Sequence, residues 1–283
     1  MDHAPRSDND QPALWNGTAG CAWVDAQETL DRMYKPFEDL LVDAILAATP
    51  ARVLDVGCGT GATTIAVARR LGTDGECVGV DISEPMLAAA RARAEREKVP
   101  ASFIRADAQS YQFEPWSFDA IMSRFGVMFF DDPVRAFTNL RGAVREGGEL
   151  RFIAWRSPEE NPFMTAAERA AAPLLPNVPR RVPDAPGQFG FADDARVQRI
   201  LDQSGWRDID VWPIDVPLSF PRSELASYAA RFGPVGQVLQ DADEPTRARV
   251  LEAVRAAFEP YVHEGEVRFI AACWMVAARD LSV

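Results

Sequence analysis

The 283-residue chain has only two histidines and four cysteines. Cys21, Cys58, Cys77 and Cys273 are scattered, with no CxxC pair among them. That excludes a zinc framework and offers no disulfide framework, so reduced thiols in a cytoplasmic protein are expected. No cluster of metal-ligand residue types stands at ligand spacing, and metal-independent chemistry is expected. His3 falls in a polar N-terminal tail and His263 in a polar turn, so no imidazole holds an obvious base position. No apolar run is long enough to span a bilayer, and the opening MDHAPRSDNDQP is too acidic and polar for a signal peptide. Basic charge is short as well: 30 Lys and Arg stand against 42 Asp and Glu, a net charge of −12. A nucleic-acid backbone wants clustered cations, so that partner is not expected.

What is present is the composition of a globular chain, 47% hydrophobic and 25% charged, able to bury a sizeable core. Residues 1–12 read as a mobile tail and 13–50 as an N-terminal helical flap. Phe37, Leu40, Leu41, Ala44, Ile45 and Ala48 form one apolar helical stripe, with Pro36 expected to divide the segment into two helices. From 51 to 155 strands and helices alternate. Strands are expected at 51–57, 77–81, 102–107, 118–124 and 149–155, and helices at 61–71, 84–97 and 133–144. Ser83 is placed to cap the second helix, ahead of Pro85 in its first turn. Such alternation predicts βαβ units and a doubly wound parallel sheet. The alternation then breaks. Residues 156–190 carry seven prolines, which predicts a lid loop. The remainder, 191–283, reads as the end of the core. It has a helix at 193–204, strands at 208–218 and 267–278, and lid helices inserted between 222 and 259.

The stretch RVLDVGCGTGATT, residues 52–64, runs from an apolar strand into a turn with glycines at alternate positions. Such a turn lets a ligand approach the backbone closely. Gly57, Gly59 and Ala62 fit the dinucleotide fingerprint, and Asp81 stands about 20 residues on, where a ribose carboxylate belongs. An NAD(P)-dependent oxidoreductase and an S-adenosylmethionine enzyme share both features. Four others favour S-adenosylmethionine. Asp55, just before the turn, would repel a pyrophosphate and suits a cationic ligand. Asp107 and Gln109 end the third strand, where an adenine amino group could be read. SRFGVMFF (123–130) brings apolar residues to the pocket side of the sheet. The chain closes in two long strands separated by helices, not in a second mononucleotide half.

VLDVGCGTG, VGVDISEPML, RADAQ, FDAIMSRFGVMFF and REGGELRFIAW, in this order, resemble the successive motifs of class I S-adenosylmethionine-dependent methyltransferases. The resemblance is to the ubiquinone/menaquinone-biosynthesis-like group that acts on small molecules. It covers residues 40–155 closely and 190–283 more loosely. It implies a Rossmann-like, seven-stranded α/β sheet in order 3-2-1-4-5-7-6, strand 7 antiparallel, under a helical lid. It places the backbone of Gly57, Cys58, Gly59 and Gly61 against the amino-acid part of the cofactor, and Asp55 in the network around it. Asp81 would hold the ribose, Ile82 and Met86 would flank the adenine, and Asp107 would meet its amino group with Ala108 beside it. Ser123 would lie near the methionyl ammonium. Gln109 departs from the pattern, since many relatives carry an acid there.

Methyl transfer from a sulfonium is an in-line displacement, so alignment and water exclusion are the protein's main tasks. A base is needed only where the acceptor must lose a proton. No catalytic residue is singled out; the candidates are Arg124, Tyr34, Tyr228 and His263. Trp15, Trp23, Arg124, Phe125, Met128 and Trp155 are candidates for the acceptor pocket, and Arg124 has Asp131 or Asp132 as alternative partners. Trp15 and Trp23 suit either a flap over the site or a hydrophobic staple for the first helix. The lid's apolar residues predict a small apolar or aromatic acceptor, handled by a monomer or homodimer. A non-catalytic cofactor-binding partner subunit is the remaining alternative.

Overall fold

The computed structural model describes residues 11–175, 178, 181–239 and 242–281. Most of the N-terminal tail, with His3, and also Pro176 and Pro179 lie outside the described residues.

The first five strands are β1 (Arg52–Val56), β2 (Glu76–Asp81), β3 (Ala101–Arg105), β4 (Phe118–Arg124) and β5 (Val144–Trp155). They pair in parallel in the order β3-β2-β1-β4-β5. β6 (Arg207–Pro221) and β8 (Glu266–Arg279) complete the sheet as β5-β8-β6, with β8 antiparallel to both neighbours. The expected order is therefore observed, with β8 in the place of strand 7. A two-residue β7 (Val262–His263) adds a hairpin onto β8. β1 is buried almost end to end, as a strand covered on both faces must be.

The crossovers α4 (Ala62–Leu71), α5 (Glu84–Glu97) and α6 (Pro133–Ala143) follow the sequence pattern closely. Ser83 caps α5 by accepting the Met86 amide, and Asp132 caps α6 by accepting the Arg135 amide. Alternate residues of β5 face opposite layers. Phe152 stacks on Phe137 of α6, while Trp155 meets Phe37 from the N-terminal helices at 5.8 Å.

Three N-terminal helices precede β1: α1 (Gln11–Asn16), α2 (Thr18–Asp25) and α3 (Gln27–Leu46). α3 runs unbroken through Pro36, contrary to the expected division. Proline removes one backbone bond and crowds the preceding turn. Tertiary packing offsets that cost: Met33, Tyr34, Phe37 and Leu41 on either side of Pro36 are all buried on the sheet. β5 also starts earlier than expected. α6 ends at Ala143, and Val144 already pairs with Phe118 ahead of the Gly147–Gly148 turn.

The Pro-rich segment is not an open loop. It contains α7 (Ala166–Ala171), and the fully buried Asn161 side chain exchanges two hydrogen bonds of 2.9 Å with the Ala272 backbone of β8. The Gly187 amide donates to the Met128 carbonyl, which ties the segment to the loop after β4. α8 (Asp194–Gln203) then leads into β6. Between β6 and β8 lie α9 (Leu225–Arg231), α10 (Gly233–Leu239) and α11 (Glu244–Phe258), which pack with α7 into a helical cap. Among the described residues no helix is long and apolar enough to cross a membrane.

Phe137 sits on the sheet face away from the cap, fully buried against Phe152 and Phe191. Truncation to Ala at such a position costs about 3–5 kcal/mol. Phe137→Ala is expected to lower unfolding stability by that amount in urea titrations while leaving ligand affinity at the glycine turn within about threefold.

Candidate active site

The sheet reverses its winding between β1 and β4, and the crevice at their carboxyl ends is where ligands bind in such folds. The turn after β1 takes its shape from its neighbours. The Gly57 amide donates to the Val80 carbonyl at 2.8 Å, with φ at +67°. A Cβ on Gly57 would stand 2.6 Å from the Gly126 Cα, so the turns after β1 and β4 touch backbone to backbone. Ser123 locks the pair: its hydroxyl donates to the Val56 carbonyl at 2.7 Å and accepts the Gly126 amide at 3.1 Å. Ser123 thus builds the crevice, with its hydroxyl committed to the backbone of both turns. Gly59, at φ +55°, leaves a hollow in which a Cβ would meet only the flexible Met86 methyl, at 2.8 Å. Gly61 opens α4 from a left-handed cap.

Two carboxylates border this turn. Asp81 accepts the Gly59 amide on one oxygen and the Ser83 amide on the other, both at 2.8 Å. Burial raises its pKa and these amides oppose the rise. Each oxygen keeps a lone pair for a hydroxyl donor. Asp55 is 1% exposed and accepts the Thr64 hydroxyl at 2.7 Å. Burial pushes its pKa up to about 7, against the lowering effects of Thr64 and the Arg124 charge. A nearby cation would favour its ionised form. Cys58 is buried with its thiol pKa raised well above the usual value, chiefly by burial, so it is an inert packing residue.

Asp107 accepts both the amide and the side-chain amide of Gln109, and the Gln109 Oε1 accepts the Asp132 amide at 3.0 Å. Gln109 therefore joins the loops after β3 and β4, a bridge that needs its NH2 as well as its oxygen. The Ala108 carbonyl takes the Asn139 side chain at 2.9 Å.

The N-terminal helices lie over this edge. Asn16, which the sequence reading did not single out, donates to the Ile82 carbonyl and accepts the Glu84 amide, each at 3.0 Å. The Ser83 hydroxyl donates to the Trp15 carbonyl at 2.6 Å. The α1–α2 segment is thus fastened to the loop that carries Asp81. Trp15 packs edge-on against Phe129, and Trp23 stacks on Tyr34 and meets Phe232 of the cap. These contacts pack the pair between the loop after β4, α3 and the cap. The only signal in the sequence was Asn16 itself, an amide with both donor and acceptor just before a helix-breaking glycine.

On the β4–β5 side, Phe125 holds a left-handed backbone at φ +65°, unusual for a bulky side chain. Its ring stacks on Trp155 with centroids 4.5 Å apart and meets Phe37 edge-on. Tyr34 lies among Trp23, Phe125 and Trp155, and the Arg124 guanidinium stands 5.8 Å from the Tyr34 ring centre. Burial raises the pKa of Tyr34 well above its usual value and that of Tyr228 to about 12. Both hydroxyls stay protonated at neutral pH. Met128 is not a lining residue: it is 1% exposed, and its sulfur accepts the Trp155 amide. His263 is exposed on an open groove of about 460 Å³ shared with Arg32, Arg268 and Phe269, none of which belongs to the glycine turn. Arg124 pairs with neither expected acid. Asp132 caps α6, and Arg124 makes no hydrogen bond or ion pair with any described residue.

Asp55 also yields a pH prediction. Its folded pKa of about 7 lies above the ordinary 3.8. Between these values the folded state holds a proton that the unfolded state has lost, so this group's contribution to stability falls as pH rises from about 4 to 7. The loss is of order 4 kcal/mol. Asp55→Asn is expected to remove this slope in urea denaturation across that window, gaining on the wild type as pH rises.

Residues 53–148 match the family model described as Methyltransferase domain. The chain is 34% identical over 138 residues to aklanonic acid methyltransferase DauC of Streptomyces sp. (strain C5), covering 47% of this chain and 63% of that protein. It is 34% identical over 122 residues to the demethylmenaquinone methyltransferase of Thermus thermophilus, covering 43% of this chain and 55% of that protein. The chain therefore spans less than two thirds of the length of these two relatives. Among solved structures, the YcgJ protein of Bacillus subtilis superposes with a TM-score of 0.57 at 16% identity, over 88% of this chain and 100% of that one. The Haemonchus contortus phosphoethanolamine N-methyltransferase 2, in complex with S-adenosylhomocysteine, gives 0.52 at 20% identity over 85% and 52%. The glycine turn and the strand order agree with these likenesses: residues 53–148 are similar to a methyltransferase domain, and the sheet has the fold of the solved structures.

Proposed function

We propose that the chain transfers a methyl group from S-adenosylmethionine to a small apolar or aromatic acceptor. The observation that carries this reading is the Gly59–Asp81 pair beside the buried Asp55, at the crevice where β1 and β4 diverge. The residues present fit the donor. The hollow at Gly59 leaves room for close approach. Asp81 accepts from ribose hydroxyls, Asp107 from an adenine amino group, and Asp55 faces the ammonium.

When bound, S-adenosylmethionine supplies an electrophilic methyl: the acceptor's lone pair forms a bond to that carbon, the C–S bond breaks, and its electron pair stays on sulfur. The chain's own residues align and enclose. Trp15 and Trp23 cover the site, Phe125 and Trp155 form a stacked wall, and the flap and cap exclude water. Neither buried tyrosine is a base at neutral pH, so any proton the acceptor must lose leaves before it binds or passes to water. A dinucleotide oxidoreductase fits less well. In place of a second mononucleotide half the sheet ends in the antiparallel β8–β6 pair.

Calorimetric titration with S-adenosylhomocysteine and, separately, with NAD tests the reading. Micromolar affinity for the first and none for the second is expected, and Asp81→Ala should weaken the first at least tenfold. Binding of NAD alone, or of neither, would overturn it. Turnover on no acceptor, with tight association to another protein, would favour the partner-subunit alternative.

A further inference from the structure

Arg124 is a half-buried cation with one donor fully shut off from solvent and left over. Its Nη1 is shut off from solvent without a hydrogen-bond partner, and no described residue forms an ion pair with the guanidinium. A buried donor without an acceptor costs about 1–3 kcal/mol, more when it is charged. Its charge acts on Asp55, whose carboxylate takes the Thr64 hydroxyl instead. The guanidinium lies over the face of Tyr34.

The surroundings indicate what belongs there. Tyr34 and Tyr228 have phenolic groups that stay protonated, and neither hydroxyl bonds to a described residue. The Arg124 charge acts on Tyr34, which in turn interacts electrostatically with Tyr228. The three groups therefore present N–H and O–H donors and no carboxylate. Flat apolar walls enclose them: Trp23 stacks on Tyr34, and Phe125 stacks on Trp155. The left-handed backbone at Phe125 directly follows Arg124, a strained turn of the kind that clusters at functional sites. The two carboxylates that suit the donor's cationic and ribose parts lie on β1 and β2, on the other side of β4 from Trp155.

We propose that Arg124 recognises the methyl acceptor, and that the acceptor is a flat acid whose carboxylate or enolate oxygen takes the free guanidinium N–H groups. This rests on the methyltransferase reading above. A charge-assisted bond in a desolvated enclosure is about twice as strong as a neutral one, so the site selects the anion over an isosteric neutral molecule. Arg124 fixes the orientation of the ring, and with it the atom presented to the methyl carbon.

The test uses the full chain saturated with S-adenosylhomocysteine and two matched probe pairs, followed by tryptophan fluorescence quenching. One pair is 2-naphthoate and 2-naphthamide. The other is 2-hydroxy-1,4-naphthoquinone, an enolate at neutral pH, and its neutral 2-methoxy ether. The anion of one pair is expected to bind at least about tenfold more tightly than its neutral partner, and the pair that shows this distinguishes carboxylate from enolate. Arg124→Met should bring that ratio to within about threefold while S-adenosylhomocysteine affinity stays within about threefold. Arg124→Lys, which keeps the charge and loses the planar fork, should retain part of the preference and carries the test if the Met variant does not fold. Equal affinity within both pairs, including no binding by either member, overturns the proposal. So does a preference that survives Arg124→Met. A tenfold loss of S-adenosylhomocysteine affinity in that variant would assign the guanidinium to the donor's carboxylate and overturn it as well. Failure of the wild type to bind S-adenosylhomocysteine would instead sink the methyltransferase reading itself.

Discussion

The site depends on one hydroxyl group. Ser123 donates to the last carbonyl of β1 and accepts an amide from the turn after β4. Two neighbouring parallel strands would otherwise send their following turns apart, because the chain winds in opposite directions from them. The Ser123 bridge draws the turns together until only glycine fits at both Gly57 and Gly126. What results is a narrow crevice with a backbone floor. Every other group of the site is positioned relative to it.

The crevice has two chemically different sides. Toward β2 lie the buried Asp55 and the half-buried Asp81, both with raised pKa values. Toward β5 lie Arg124, two protonated tyrosines and a wall of stacked rings. Keeping carboxylates on one side and donors on the other is costly, since the Arg124 charge reaches Asp55 but forms no ion pair with it. A ligand pair of opposite character relieves both costs at once. A cationic sulfonium amino acid on the acidic side and an anionic acceptor on the other would also be drawn toward each other across the crevice.

Much of this was legible in the sequence, for local reasons. The glycines after β1 mark positive φ, and three of them adopt it. Ser83 and Pro85 mark the start of α5, and the helix starts there. The parallel sheet followed from the alternation of elements, and the strand order from the resemblance of the motifs. What was not legible depends on contacts distant in sequence. Pro36 reads as a break, but the helix is held on both sides by burial against the sheet. Met128 reads as a pocket residue, but its sulfur faces the backbone of Trp155, 27 positions away. Asn16 carries no periodic signal, and its role appears only once β2 delivers residues 82–84 to it. The left-handed conformation of Phe125 is likewise imposed by the ring of Trp155 and not by its own propensity.

The α1–α2 segment and the Asp81 carboxylate share one short loop. Asn16 and Trp15 bind residues 82–84, while Asp81 immediately precedes them and holds the Gly59 amide. A ligand that settles on Asp81 therefore acts on the anchor of its own cover. The same helical segment continues through Trp23 to Tyr34, the ring beneath Arg124. The loop that carries Asp81 and the ring beside Arg124 are consequently joined through packed side chains, so a ligand proposed on one side and a ligand proposed on the other would share one cover.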